Sequence, residues 1–131
     1  MGAFDMLSIA NTALGMHQTW LDALANNIAN INTVTRTNQK AFQGQMVIAS
    51  ARPDGSGVDV AGIALSDPTG RVVNDPSNPL ADAQGNVRLP DIDLASEMSQ
   101  LVMAQRGFQA SVQVTKNAQD TYSAALQIGK P

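Results

Sequence analysis

Asp91, Asp93 and Glu97 are the closely spaced carboxylates of the second half of the sequence, and acids at such spacing could supply a general acid and a general base. No nucleophile or cationic clamp accompanies them. They follow Pro90 at the start of a helical pattern, where carboxylates cap backbone N–H groups and complement the helix dipole. His17 is the one histidine, and its helix offers no further metal ligands, so it reads as a packed or hydrogen-bonded side chain. Asp82-Ala-Gln-Gly-Asn86 lacks the regular oxygen ligands and terminal Glu of a calcium loop and reads as a turn. Met46, Met98 and Met103 fall at strand or helix spacing and read as core filler. No catalytic residue, metal, cofactor or small-molecule substrate is expected. The enzymatic alternative is a small hydrolase using Asp93 and Glu97.

A different chemistry is carried by amides. Asn26 and Asn30 are one helical step apart, and with Asn27 they could form hydrogen-bonded ladders that fix register between helices. The plain alternative is a frayed helix end. Either reading requires a helix, and the sequence supplies it. Leu7, Ala10, Leu14, His17, Leu21, Leu24, Ile28 and Ile31 alternate at steps of three and four, and all but His17 are apolar. That is a coiled-coil-like seam about four heptads long. Asp5 can cap its start and Asn32-Thr33 with Val34-Thr35 can stop it, placing a helix over about residues 5–32.

A second, longer seam runs Leu94, Met98, Leu101, Gln105, Phe108, Val112, Thr115, Gln119, Tyr122 and Leu126, with Ala104 and Ala118 beside its polar members. Pro90 precedes it, Asp91 or Asp93 can cap it, and Gly129 follows it. Between the helices, residues 51–90 hold five of the six prolines and five of the ten glycines, which excludes a long helix there. Val58-Asp-Val60, Ile63-Ala-Leu65, Val87-Arg-Leu89 and Met46-Val-Ile48 read as short strands, with a bulge hinted at Ala61-Gly62. Turns are signalled by Asp54-Gly55, Asp67-Pro-Thr-Gly70, Asp75-Pro76 and Asp82 to Gly85. The expected fold is mainly α: an antiparallel, coiled-coil-like pair of long N- and C-terminal helices with short strands between. Residues 1–35 and 91–131 would form a discontinuous helical assembly domain, and 36–90 a β-rich or irregular insertion.

Charge explains why assembly is expected. Charged residues make up 15% of the 131 positions, against about 25% in ordinary soluble domains. In residues 5–32 only Asp5 and Asp22 are ionised at neutral pH, and Asn, Gln, Ser and Thr supply the remaining polarity. Helices facing water normally use Glu, Lys and Arg, which favour helix and form ion pairs one turn apart. Helices apolar on one stripe and neutral-polar elsewhere suit burial on several sides, as in a repeated array of heterologous contacts. A net charge of −3 without clustered Lys and Arg excludes nucleic acid as a partner. No unbroken apolar stretch of about 18 residues is present, so no transmembrane segment is expected. The start lacks the basic and apolar regions of a cleaved secretory signal. With no cysteine, the redox compartment is left open.

Leu24-Ala-Asn-Asn-Ile-Ala-Asn-Ile-Asn-Thr33 resembles the signature that closes the N-terminal helix in the flagellar rod and hook protein family. Asp75 to Val87, Leu89-Pro90, Glu97-Met98, Ala104-Gln-Arg-Gly-Phe108, Ala110 and Val112-Gln-Val114 are similar to the C-terminal part of a proximal rod member of that family. Asn78, Pro90-Asp91-Ile92 and Phe108 depart from its commoner residues. The resemblance implies a structural subunit of a bacterial flagellar basal-body rod in the periplasm, exported by the flagellar type III system without a cleaved signal. It implies copies of itself and other rod proteins as partners, with the export apparatus or MS-ring at the rod base. The residues expected to make the contacts are Leu7, Leu14, Leu21, Leu24, Asn26, Asn27, Ile28 and Asn30 at one end. At the other they are Leu94, Met98, Leu101, Phe108, Val112, Tyr122 and Leu126. The alternative is a soluble helical-bundle chaperone or adaptor of a secretion system, which would form a closed oligomer of fixed size. Helices of this composition gain little stability until neighbours bury them. Circular dichroism of the dilute monomer should therefore show less helix than spans 5–32 and 91–131 would give, and full helix content would refute that.

Overall fold

The computed structural model describes residues 2–130. Helix α1 (Ala3–Asn30) is followed by strands β1 (Gln45–Ala51), β2 (Val58–Leu65), β3 (Arg71–Asn74) and β4 (Asn86–Leu89), then by helix α2 (Leu94–Ile128). The architecture is thus two long terminal helices with a small antiparallel insertion between them. The outermost positions of the expected helical domain, Met1 and Pro131, lie outside the described residues.

Helix α1 begins two residues before Asp5, whose carboxylate reaches back to accept the Gly2 N–H at 3.0 Å, as the acid of a capping box does. It stops at Asn30, where the Thr33 N–H donates to the Asn30 carbonyl at 3.0 Å and Asn30 Nδ2 donates to the Asn26 carbonyl at 2.9 Å. Helix α2 starts where the sequence signals it: Asp93 Oδ1 accepts the Ala95 N–H at 3.2 Å, and Pro90 is buried just upstream. At its other end the Gly129 N–H closes onto the Ala125 carbonyl at 3.2 Å.

The strands form two two-stranded sheets, β1 with β2 and β3 with β4. Residues 52–57 joining β1 to β2 are too few for a parallel crossover, so the pair is a hairpin. Its β2 strand runs from Val58 to Leu65 and includes Ala61-Gly62. The sequence reading missed β3, a four-residue segment that pairs antiparallel with β4 in the register Arg71 with Leu89 through Asn74 with Asn86. On the other edge of β4, Thr35 bridges Arg88 through two backbone hydrogen bonds of 2.9 Å.

By compactness the chain divides into two units. One draws on the described residues up to Leu21, on Val47–Gly62, and on those from Val102 onward; the other comprises Asp22–Met46 and Ile63–Leu101.

In the second unit the buried residues are Ala23, Leu24, Asn27, Ala41, Gly44, Val87 and Pro90. Gly70 turns into β3 with φ of +53°, and a Cβ there would stand 2.2 Å from the Leu89 carbonyl oxygen, so only glycine fits. The turns are closed by aspartates. Hydrogen bonds from Thr69 hold the Asp67 carboxyl below the usual carboxylate range, and the Asn86 N–H does the same for Asp82. The one polar side chain at the centre is Asn27, 1% exposed. Its Oδ1 accepts the Gln45 N–H at 2.7 Å, while Nδ2 donates to the Gln45 carbonyl at 2.8 Å and to Glu97 Oε2 at 3.0 Å. One side chain thereby satisfies both backbone groups at the head of β1 and ties them to α1 and α2.

In the first unit the helices run antiparallel: His17 meets Gly107 and Ser111, whereas Met6 shares a groove with Val114. His17 Nδ1 lies 2.8 Å from the Ala13 carbonyl, which can only accept, so that nitrogen carries a proton. Ser111 Oγ stands 3.3 Å from the same nitrogen and donates to the Gly107 carbonyl at 2.9 Å. The loop between β1 and β2 is fastened to α1 by the Val58 N–H, which donates to Thr12 Oγ1 at 3.1 Å.

Two substitutions probe these contacts. Asn27→Ala orphans the polar groups of Gln45, and each buried orphan costs about 1–3 kcal/mol, so urea unfolding should show a loss of roughly 2 kcal/mol or more. A loss within error of zero would mean that water replaces the amide. Gly107→Ala places a Cβ 2.4 Å from His17 Nε2 and should destabilise the fold, with the cost relieved in a His17→Ala background. An equal cost in both backgrounds would show that the imidazole is not the obstacle.

Candidate assembly surface

The face that α2 turns inward is built from small residues. Ala104, Ser111 and Ala118 are buried at seven-residue spacing, with Gly107 and Thr115 half-buried between them. Leu101, Phe108 and Thr115, expected in the seam, are half-buried as well. The other expected positions are displaced. The structure buries Ala104, Ser111 and Ala118, each one residue before Gln105, Val112 and Gln119, which are exposed. The inward stripe is therefore rotated relative to the seam of largest side chains. At position 107 the reason is distance: the His17 ring lies against the backbone there and leaves no space for a side chain.

The rotation leaves large apolar side chains on the outside of α2. Val112 is 45% exposed, Tyr122 44% and Leu126 54%, and Leu94, Met98, Val102, Met103 and Val114 are exposed too. From Gln119 onward every described residue of the helix is exposed. Helix α1 behaves differently. Leu24 is buried, and Leu7, Leu14, Leu21 and Ile28 are half-buried, so its expected seam is largely turned inward.

The three asparagines do not act as one ladder. Asn26 and Asn30 are half-buried and bonded to each other, Asn30 Nδ2 to Asn26 Oδ1 at 3.1 Å, on the last turn of α1. Asn27 is enclosed, and its amide is fully engaged by Gln45 and Glu97 of the same chain. Sequence reasoning missed this partner, because nothing in the residues around Gln45 marks it. It also undervalued Ala104, Ser111 and Ala118, whose seven-residue spacing was the available signal.

The candidate chemical groups are employed structurally. Asp93 caps α2, Glu97 accepts from Asn27, and Asp82 closes a turn by accepting the Gln84 and Asn86 N–H groups, each at 2.9 Å. Among the described residues, no three His, Cys, Asp or Glu side chains are grouped so as to hold a metal ion. Among the same residues, no helix is long and apolar enough to cross a membrane. What the arrangement offers is a long helix with an apolar, sparsely charged outer surface, held by neutral hydrogen bonds and small-residue contacts.

Known proteins are similar to this chain in sequence. Residues 83–128, which contain β4 and all of α2, match the family described as flagellar basal body rod FlgEFG protein C-terminal. Over the full length, the chain is 33% identical to the flagellar basal-body rod protein FlgC of Yersinia enterocolitica, covering 99% of this chain and 100% of the relative. It is 31% identical to the protein of the same name from Escherichia coli O157:H7, and 29% identical to that of Bacillus subtilis, with 99% of this chain and 100% of each relative covered. With small-residue packing, an outward apolar face on α2 and similarity that runs from end to end, the chain belongs to the FlgC family of flagellar basal-body rod proteins.

Proposed function

We propose that this chain is a structural subunit of the bacterial flagellar basal-body rod, in its proximal part, where its terminal helices pack against copies of itself and against other rod proteins. It catalyses nothing and passes torque mechanically along the assembled shaft. At the base of the rod its neighbours are the export apparatus or the MS-ring.

The observation that supports this most is the outward face of α2. Val112, Tyr122 and Leu126 belong to a helix whose charges are few, and burying them against protein removes apolar area from water at about 25 cal/mol per Å². An adaptor or chaperone with the same helices would close into an oligomer of fixed size. Sedimentation of the chain with and without its rod partners separates the two.

The motility test uses one inward and one outward position. Leu21→Asp puts a charge on the half-buried face of α1 and should abolish swimming. Val112→Asp changes an exposed residue, so the isolated chain should keep its helix content while swimming is lost. Normal swimming of the Val112→Asp strain, with the variant recovered in its basal bodies, would remove the outer face of α2 from assembly.

A further inference from the structure

Between α1 and α2 of the first unit lies an open groove of about 470 Å³, lined by Met6, Ile9, Ala13, Gly107, Ala110 and Val114 among others, with no charged residue in its walls. Water there meets almost only carbon and gives up hydrogen bonds it would make in bulk. The same unit ends in a segment of matching character. Residues 121–129 of α2 carry no charge, and their apolar side chains stand in solvent, Tyr122 and Leu126 half exposed and Ile128 86% exposed.

We propose that this groove receives the terminal turns of α2 from a second copy of the chain, with Tyr122 and Leu126 as the inserted side chains. The inference rests on the rod reading and specifies one of its contacts. Within one molecule the contact is impossible, because α2 is a single continuous helix that holds Leu126 about 24 Å along its axis from Ala110.

Charge fixes the direction. The neutral segment is bounded by Asp120 and Lys130, about 15 Å apart along the helix. Arg106 stands one turn before Ala110 at one end of the groove, and Asp5 one turn before Ile9 at the other. Lys116 does not interfere, since it projects about 160° around the helix from Val114. An incoming helix parallel to the host α2 places Asp120 toward Arg106 and Lys130 toward Asp5, whereas the reverse orientation opposes like charges. Donor and acceptor are different patches, so the contact repeats head to tail, and the shift of each parallel copy along the helix axis keeps the series from closing into a ring. Each copy is displaced from the last by roughly 20 Å along the helix axis.

The chain has no cysteine, so introduced thiols report without background. Ala110→Cys and Leu126→Cys are placed together in one chain, flagellated cells are oxidised, and isolated basal bodies are run on non-reducing gels. A ladder of two, three and more copies is expected from the double variant, and no species beyond a dimer from either single variant. A cross-linked product containing a different protein, or no product from cells that swim normally, overturns the proposal. Independently of the thiols, Asp120→Arg should deplete the chain from basal bodies and Arg106→Asp should restore it in the same molecule. Depletion that Arg106→Asp does not relieve also overturns it. Failure of the rod reading would be seen separately, as absence of the unaltered chain from basal bodies.

Discussion

The closeness of α1 and α2 at Gly107 is the constraint from which the surface of the molecule follows. The His17 ring lies where a side chain at position 107 would begin, and the fully buried positions of α2 on either side of it are Ala104, Ser111 and Ala118. Its branched and aromatic residues are consequently carried on other faces. In a monomer that arrangement is costly, since Val112, Tyr122 and Leu126 remain in water. Burial against neighbouring subunits, as proposed above, would remove that cost. The same small-residue contact therefore brings the two helices close in the first unit and leaves the larger apolar side chains of α2 exposed.

The middle of the chain serves the helices. Asn27 treats Gln45 as a neighbouring strand would, giving and taking one hydrogen bond, and it adds a third to Glu97. An amide suits this position because it has a donor and an acceptor side by side; a carboxylate would offer only acceptors and would face Glu97 with like charge. Neutral polarity thus has a use inside the molecule as well as on its surface. At the other end of the hairpin, Thr12 contributes a single hydroxyl to the same kind of attachment.

Much of this plan was legible from residue order. Both helices, their caps at Asp93 and Gly129, and the strands around Val47, Val58 to Leu65 and Val87 follow from periodicity and from turn chemistry. The face of α1 was more legible, because the leucines and isoleucines of its seam are buried or half-buried. The face of α2 was not, since ranking by hydrophobicity favours Val112 over Ser111, whereas packing distance favours the reverse. β3 escaped because Arg71-Val-Val-Asn74 shows no alternation of apolar and polar residues. The enclosure of Asn27 escaped because it depends on a backbone group 18 positions away, which no local pattern records.

Sequence separation has a consequence for how the molecule comes into being. The hydrogen bond from Asn27 to Glu97 spans 70 positions and the contact between His17 and Ser111 spans 94, so these ties of the first helix form only when the last one exists. Loop closure over such distances is entropically unfavourable and raises contact order, which slows folding relative to helical bundles of adjacent segments. A nascent or partly threaded chain therefore stays unlocked until its final third arrives, and maturation waits on the C-terminus.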